Sequence, residues 1–163
     1  MAVHPPPNKE KHMKKIYLAY GSNMNLRQMA HRCPDAEVLG TSVLKNHHLT
    51  FRGGKNLGVA TVEKRMGAEV PVLLWSISEN DEKALDIYEG YPYLYRKENR
   101  MVEFDGKKVK AMVYIMNEGR PASLPSTYYY ATIAQGYKDN GLDTKLFEDA
   151  VSTFMEEIRC HRR

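Results

Sequence analysis

Among the side chains of this sequence, the carboxylate of Glu89 has the neighbours best suited to moving a proton. It closes a helical stretch, "SENDEKALDIYEG", and stands just before Gly90 and the aromatic run "YPYLY". A carboxylate at a helix C-terminus meets the negative end of the dipole, and an aromatic cluster excludes water. Both effects raise its pKa toward the range of a general base. Asp86, three residues earlier and on roughly the same face, adds a second negative charge that pushes the same way. Taken alone, Glu89 reads either as such a base or as a solvated helix-end glutamate.

A second candidate lies in "IYLAYGSNMN", residues 16–25. Tyr20 follows a strand pattern, Gly21 ends it, and Ser22 and Asn23 either cap the next helix or leave backbone N–H groups open to an anion. A third is "PSTYYYATIAQGYKDNGL", residues 125–142. Pro-Ser opens a helix there. Three consecutive tyrosines, Tyr129 among them, cannot all face a core, so one is able to bring its hydroxyl to a cleft.

Spacing argues against other chemistries. Ser22 has neither the G-x-S-x-G nor the S-x-x-K context of a nucleophile, and His47 and His48, adjacent on a strand, face opposite sides. His12, His31, His47, His48 and His161 lack metal-ligand spacing and read as surface residues, so no metal is expected. "RGGKNLG" is not spaced as a phosphate loop and precedes a strand, which makes it a turn. Arg52, Arg96 and Lys97 read as solvated strand positions.

These residues need elements to hold them. Strands are expected at 16–19, 36–51, 57–64, 69–77, 94–104 and 107–116, with the Asp-Gly of "FDGKK" turning the last pair. Helices are expected near 24–33, after Ser78 as N-cap, and near 126–138 and 144–159. The fold class is therefore α+β with a mixed, largely antiparallel sheet, and six strands in so short a chain favour a curled or closed one. Residues 1–12, "MAVHPPPNKEKH", carry three successive prolines and no apolar pattern, and read as a poorly ordered leader outside a single domain at 13–163.

Composition narrows the classes further. With 163 residues, 42% hydrophobic and 27% charged, the sequence is that of one soluble globular domain. It has neither an apolar run long enough to span a membrane nor a signal-peptide pattern, so a cytoplasmic protein is expected. The net charge of +4 invites nucleic acid. Seven of the 24 basic residues lie at the two ends against one of the 20 acidic, however, which leaves residues 16–158 at −2. A nucleic-acid partner is not expected. Cys33 and Cys160 stand far apart and read as reduced thiols.

Taken in order, "YGSN", "LDIYEGYPYLYRK", a hairpin and "PSTYYYATIAQGYKDNGL" resemble the γ-glutamylcyclotransferase-like family, which includes γ-glutamylamine cyclotransferases and AIG2-like proteins. The resemblance runs from about Lys14 to Leu142. It implies a small mixed β-barrel flanked by helices, with a cavity at its mouth. It implies cyclisation of a γ-glutamyl amide to 5-oxoproline with release of an amine, without metal or cofactor, by a monomer or homodimer. By position Glu89 matches the family's acid/base residue. Tyr20, Gly21, Ser22 and Asn23 match its substrate loop, whose N–H groups hold the α-carboxylate, and Tyr129 matches a tyrosine that contacts the substrate. The competing class is a non-catalytic module that holds a small anion or a peptide end on the same fold.

Overall fold

The computed structural model describes residues 14–161, so the leader assigned to 1–12 lies outside the described residues. In chain order the elements are β1 (Lys15–Ala19), a 3-10 turn (Ser22–Met24), α1 (Leu26–Arg32), β2 (Glu37–Gly54), β3 (Leu57–Ile77), α2 (Glu79–Tyr88), β4 (Tyr95–Phe104), β5 (Lys107–Met116), α3 (Thr127–Asp139) and α4 (Thr144–His161). The five strands form one sheet in the order β2-β3-β1-β5-β4. Every pairing is antiparallel except β1 with β5, which run parallel at Tyr17 and Met112. The α+β class with a largely antiparallel sheet is what the sequence pattern predicts.

Two expectations about the sheet are corrected. The segments 57–64 and 69–77 belong to a single strand of 21 residues, β3, paired along its length with β2. What the sequence suggests is a break is a bulge: the register shifts between Lys45 and His47, Asn46 and Gly67 both take positive φ, and Asn46 Oδ1 accepts from Gly67 N at 3.1 Å. Four residues of β3, 65–68, stand opposite the single Asn46 of β2, and a bulge of this kind bends and twists the strand without ending it. The second correction concerns closure. The sheet curls until its edges touch, Ser42 Oγ donating to the Glu103 carbonyl, but no ladder joins β2 to β4. It is a strongly curled open sheet rather than a barrel.

The concave face and the helices bury one apolar core. Phe51 of β2 packs on Phe154 of α4 at 5.5 Å between ring centroids, and Phe147 packs on Tyr130 and Tyr137 of α3 at 4.8 and 5.3 Å. Local chemistry sets the ends of α2. Ser78 and Asp81 form a reciprocal capping box at 3.1 Å in both directions, and Gly90, at φ +63°, ends the helix where a left-handed residue is required. Asp105 and Gly106 both take positive φ, as a two-residue hairpin turn demands. Cys33 is buried and Cys160 exposed, both as free thiols. No helix among the described residues is long and apolar enough to cross a membrane.

Candidate active site

The C-terminal end of β1, the end of α2 and the first turn of α3 converge on a cavity of about 260 Å³. Tyr20, Gly21, Ser22, Asn23, Glu89 and Tyr129 all line it. Larger depressions exist elsewhere, one of about 930 Å³ between α1 and α3 and one of about 840 Å³ beside His47 and Arg100. Neither holds a carboxyl shifted to neutrality, so chemistry rather than size selects the smaller cavity.

The 3-10 turn explains how the loop is built. Met24 N donates to Gly21 O at 3.0 Å and Asn25 N to Ser22 O at 3.1 Å, while the N–H groups of Gly21, Ser22 and Asn23 find no acceptor among the described residues. Asn25, not Ser22 or Asn23, caps α1, its side chain accepting from Gln28 N at 3.0 Å. Ser22 and Asn23 are thereby left for the cavity. A Cβ on Gly21 would stand 3.4 Å from Ala60 Cβ and 3.6 Å from Tyr129 Oη, so a larger side chain would fill the space between loop and wall.

Asn23 is the most constrained side chain of the site. Its Oδ1 accepts from Arg32 Nη1, which can only donate, and this fixes which end of the amide points where. Nδ2 then donates to Tyr17 Oη at 2.8 Å and, more weakly, to Glu89 Oε1 at 3.4 Å. Trp75 Nε1 holds the Asn23 carbonyl at 3.0 Å. Arg32 is itself held by Gln28 at 2.9 Å and lies 3.4 Å over the Tyr88 ring, and Tyr88 Oη is bonded to Ser22 Oγ at 3.0 Å.

Burial pushes the Glu89 carboxyl up to about 7, and Arg32 pulls weakly the other way. The residue as a whole is only partly covered because it opens on the cavity, but the walls around its carboxyl are protein. Asp86 has no part in the shift. Its carboxylate is taken by groups on β4 and β5 instead. Asp86 pairs with Lys97 at 2.8 Å and accepts the Tyr114 hydroxyl proton at 2.6 Å. The residues read as solvated cations are also tied down: Lys97 bridges Asp86 and Glu82, Arg52 forks onto Glu63 at 2.6 and 2.9 Å, and Arg96 donates to the Met116 carbonyl at 2.9 Å. His47 is buried rather than exposed, because the bulge turns it in between the Lys45 carbonyl at 2.8 Å and Arg100 at 3.3 Å. It lies outside the cavity.

Sequence reasoning misses several residues of the site, three on the cavity wall and one behind Asn23. Tyr17, Tyr95 and Tyr114 are buried strand aromatics with the signature of an ordinary core, and Arg32 sits in the last turn of α1 with nothing in its neighbourhood to mark it. The alternation of β1 gives the one usable signal, since it places Tyr17 on the inner face just ahead of the loop.

A carboxyl pushed toward neutrality by burial, in a cavity walled by tyrosines and by a loop with unpaired backbone N–H groups, is suited to moving protons on a small molecule. The sequence pattern described as γ-glutamyl cyclotransferase, AIG2-like, matches residues 17–132, and the chain belongs to that family of cyclotransferase enzymes. The γ-glutamylcyclotransferase of Homo sapiens is 28% identical over 137 residues, covering 78% of this chain and 72% of that one. The Mus musculus enzyme of the same name is 30% identical over the same shares. A solved structure titled γ-glutamyl cyclotransferase superposes with a TM-score of 0.73 at 26% identity, across 85% of this chain and 86% of the other.

Proposed function

We propose that this protein cyclises a γ-glutamyl amide, with Glu89 as its general acid and base. The α-amine of the glutamyl group attacks its own γ-carbonyl, the new C–N bond closes the ring of 5-oxoproline, and the bond to the leaving amine breaks. The observation that carries the reading is a buried carboxyl, Glu89, its pKa pushed up to about 7 by burial, on the wall of a cavity that the Gly21-Ser22-Asn23 loop and Tyr129 also line. Against a substrate amine of pKa about 8, a carboxylate of about 4.3 is mismatched by nearly 4 units, or about 5 kcal/mol. Glu89 at about 7 brings that gap down to a single unit. The proton it accepts from the amine is then available for the leaving nitrogen.

The other groups have complementary work. The unpaired N–H groups of Gly21, Ser22 and Asn23 supply donors for the substrate's α-carboxylate, a charge otherwise costly to bring beside Glu89. Nucleophile and electrophile belong to one molecule, so holding a folded conformer supplies several kcal/mol of the barrier through orientation. The bonds made and broken call for no redox or metal chemistry.

The reading is tested by incubating the protein with γ-glutamyl amines, γ-glutamyl dipeptides and glutathione and assaying 5-oxoproline by mass spectrometry. Release from one class names the leaving amine. No release from any of them, with the protein folded, would move the assignment to the non-catalytic binding module. A second expectation concerns Arg32, whose charge lowers the Glu89 pKa. Arg32→Met should raise that pKa above about 7 and move the acid limb of kcat/KM to higher pH, read from the pH profile on the preferred substrate.

A further inference from the structure

Six tyrosines line the cavity, and their hydroxyl protons fall into different classes. Tyr20 donates to the Tyr114 carbonyl, Tyr95 to the Ala60 carbonyl and Tyr114 to the Asp86 carboxylate, each at 2.6 Å. Those three protons are committed to protein acceptors. Tyr88 shares its 3.0 Å bond with Ser22, and either hydroxyl can donate.

Tyr17 and Tyr129 are different because each has a donor for a partner. The Asn23 side-chain amide donates to Tyr17 Oη at 2.8 Å, and the Ala60 backbone N–H donates to Tyr129 Oη at 3.0 Å. A phenol oxygen that accepts a hydrogen bond still has its own proton to give, and the bond it accepts polarises the O–H and strengthens it as a donor. Neither proton meets an acceptor among the described residues. Tyr17 is 3% exposed, so water in bulk does not satisfy it either. Two donors that the protein does not use thus face one small cavity, where a ligand oxygen can take them.

We propose that the O–H groups of Tyr17 and Tyr129 form the oxyanion site of the reaction, donating to the γ-carbonyl oxygen as it becomes negative. This rests on the cyclisation proposed above and assigns a part of it that Glu89 and the loop leave open. When the α-amine adds to the γ-carbon, the carbonyl electron pair moves onto oxygen. It returns when the C–N bond to the leaving amine breaks and that nitrogen takes the proton from Glu89. Tyr17, Tyr129 and Glu89 line the same cavity. Tyr17 Oη and Glu89 Oε1 are bonded to the same Asn23 nitrogen at 2.8 and 3.4 Å, so a group handling the nitrogen and a group handling the oxygen stand close together. The loop N–H groups are left for the α-carboxylate. Burial and the nearby Glu89 charge also push both phenols upward, which keeps them protonated as donors.

The test compares wild type, Tyr17→Phe, Tyr129→Phe and proteins carrying 3-fluorotyrosine at either position, measuring kcat, KM and melting temperature on a substrate the wild type turns over. Each phenylalanine should lower kcat by about 100-fold with KM and melting temperature little changed, the loss expected for one oxyanion donor. The more acidic 3-fluorotyrosine should keep every contact and raise kcat above wild type, which a purely structural hydroxyl would not do. Wild-type kcat in both phenylalanine variants overturns the assignment alone. If a phenylalanine variant is unstable, the fluorinated protein decides, and a kcat indifferent to phenol acidity overturns the proposal. A folded wild type that releases no 5-oxoproline from any γ-glutamyl amide overturns the cyclisation and this assignment with it.

Discussion

Glu89→Gln is expected to lower turnover by about 100-fold or more while making the protein more stable at alkaline pH. The first half follows from replacing the only carboxyl among the described residues that line the cavity by a group of the same shape that neither accepts nor returns a proton. The second half follows from linkage. The pKa of Glu89 is about 7 in the folded protein against an ordinary 4.5, so folding favours the protonated form. That contribution is fully present below pH 4.5 and is lost as pH rises through about 7. By pH 8 the buried ionised carboxylate costs roughly 3 kcal/mol, a cost the neutral amide does not carry. Thermal unfolding of wild type and variant should therefore differ by several degrees at pH 8 and converge near pH 4. A variant that is inactive but no more stable at pH 8 would show that Glu89 has an ordinary pKa, and the base would have to be sought elsewhere. The two halves together describe a residue whose usefulness and whose cost have the same origin, the withdrawal of water.

Much of this arrangement is legible before any coordinates, and what is not fails for identifiable reasons. Periodicity marks β1, α2 and the β4–β5 hairpin because each is decided locally, by Ser78 with Asp81 at one end and by Asp105-Gly106 at another. Glu89, the Gly-Ser-Asn loop and Tyr129 carry chemistry in their residue types, and the resemblance orders them. The continuity of β3 is not local. It depends on Asn46 meeting Gly67 across the hairpin, inside the gap that the sequence pattern leaves between 57–64 and 69–77. Closure of the sheet depends on whether β2 and β4 form a ladder or only touch, which no strand pattern encodes. Asp86 shows the same limit at one side chain. Its spacing from Glu89 suggests a carboxylate pair, but Lys97 and Tyr114, from other strands, claim it. Tyr17 is hidden for the opposite reason: a tyrosine that walls a cavity and one that fills a core have the same alternation, and only the direction of its hydrogen bond separates them.

Gly136→Ala should destabilise the protein and weaken catalysis, although alanine is normally the better helix former by about 1 kcal/mol. Gly136 lies inside α3 and is buried. A Cβ there would stand 2.8 Å from both Asn25 N and Met24 C and 2.9 Å from Met24 Cβ, closer than such atoms approach, and two of the three are backbone. Those atoms belong to the peptide that follows the Gly-Ser-Asn turn. They cannot easily withdraw, because α3 and its C-terminal end also hold that peptide by hydrogen bonds. Asn140 Nδ2 donates to Met24 O at 2.8 Å, Asn25 Nδ2 to Thr132 O at 3.1 Å, and Leu26 N to Asp139 Oδ2 at 3.1 Å. A methyl group must therefore push α3 off the turn or push the turn toward the cavity. Overpacking of this kind costs about 1 to 3 kcal/mol, a fall of roughly 3 to 10 °C in melting temperature for a domain of this size. A displacement of the turn by even a fraction of an ångström moves Ser22 and Asn23, and misplacement on that scale lowers kcat/KM by about 10-fold or more. Gly54→Ala is the control, since a Cβ there meets nothing within 4 Å and should leave both quantities unchanged. If Gly136→Ala matched that control in melting temperature and kcat/KM, the loop would not be seated against α3, and the site's rigidity would have to come from Arg32 and Trp75 alone.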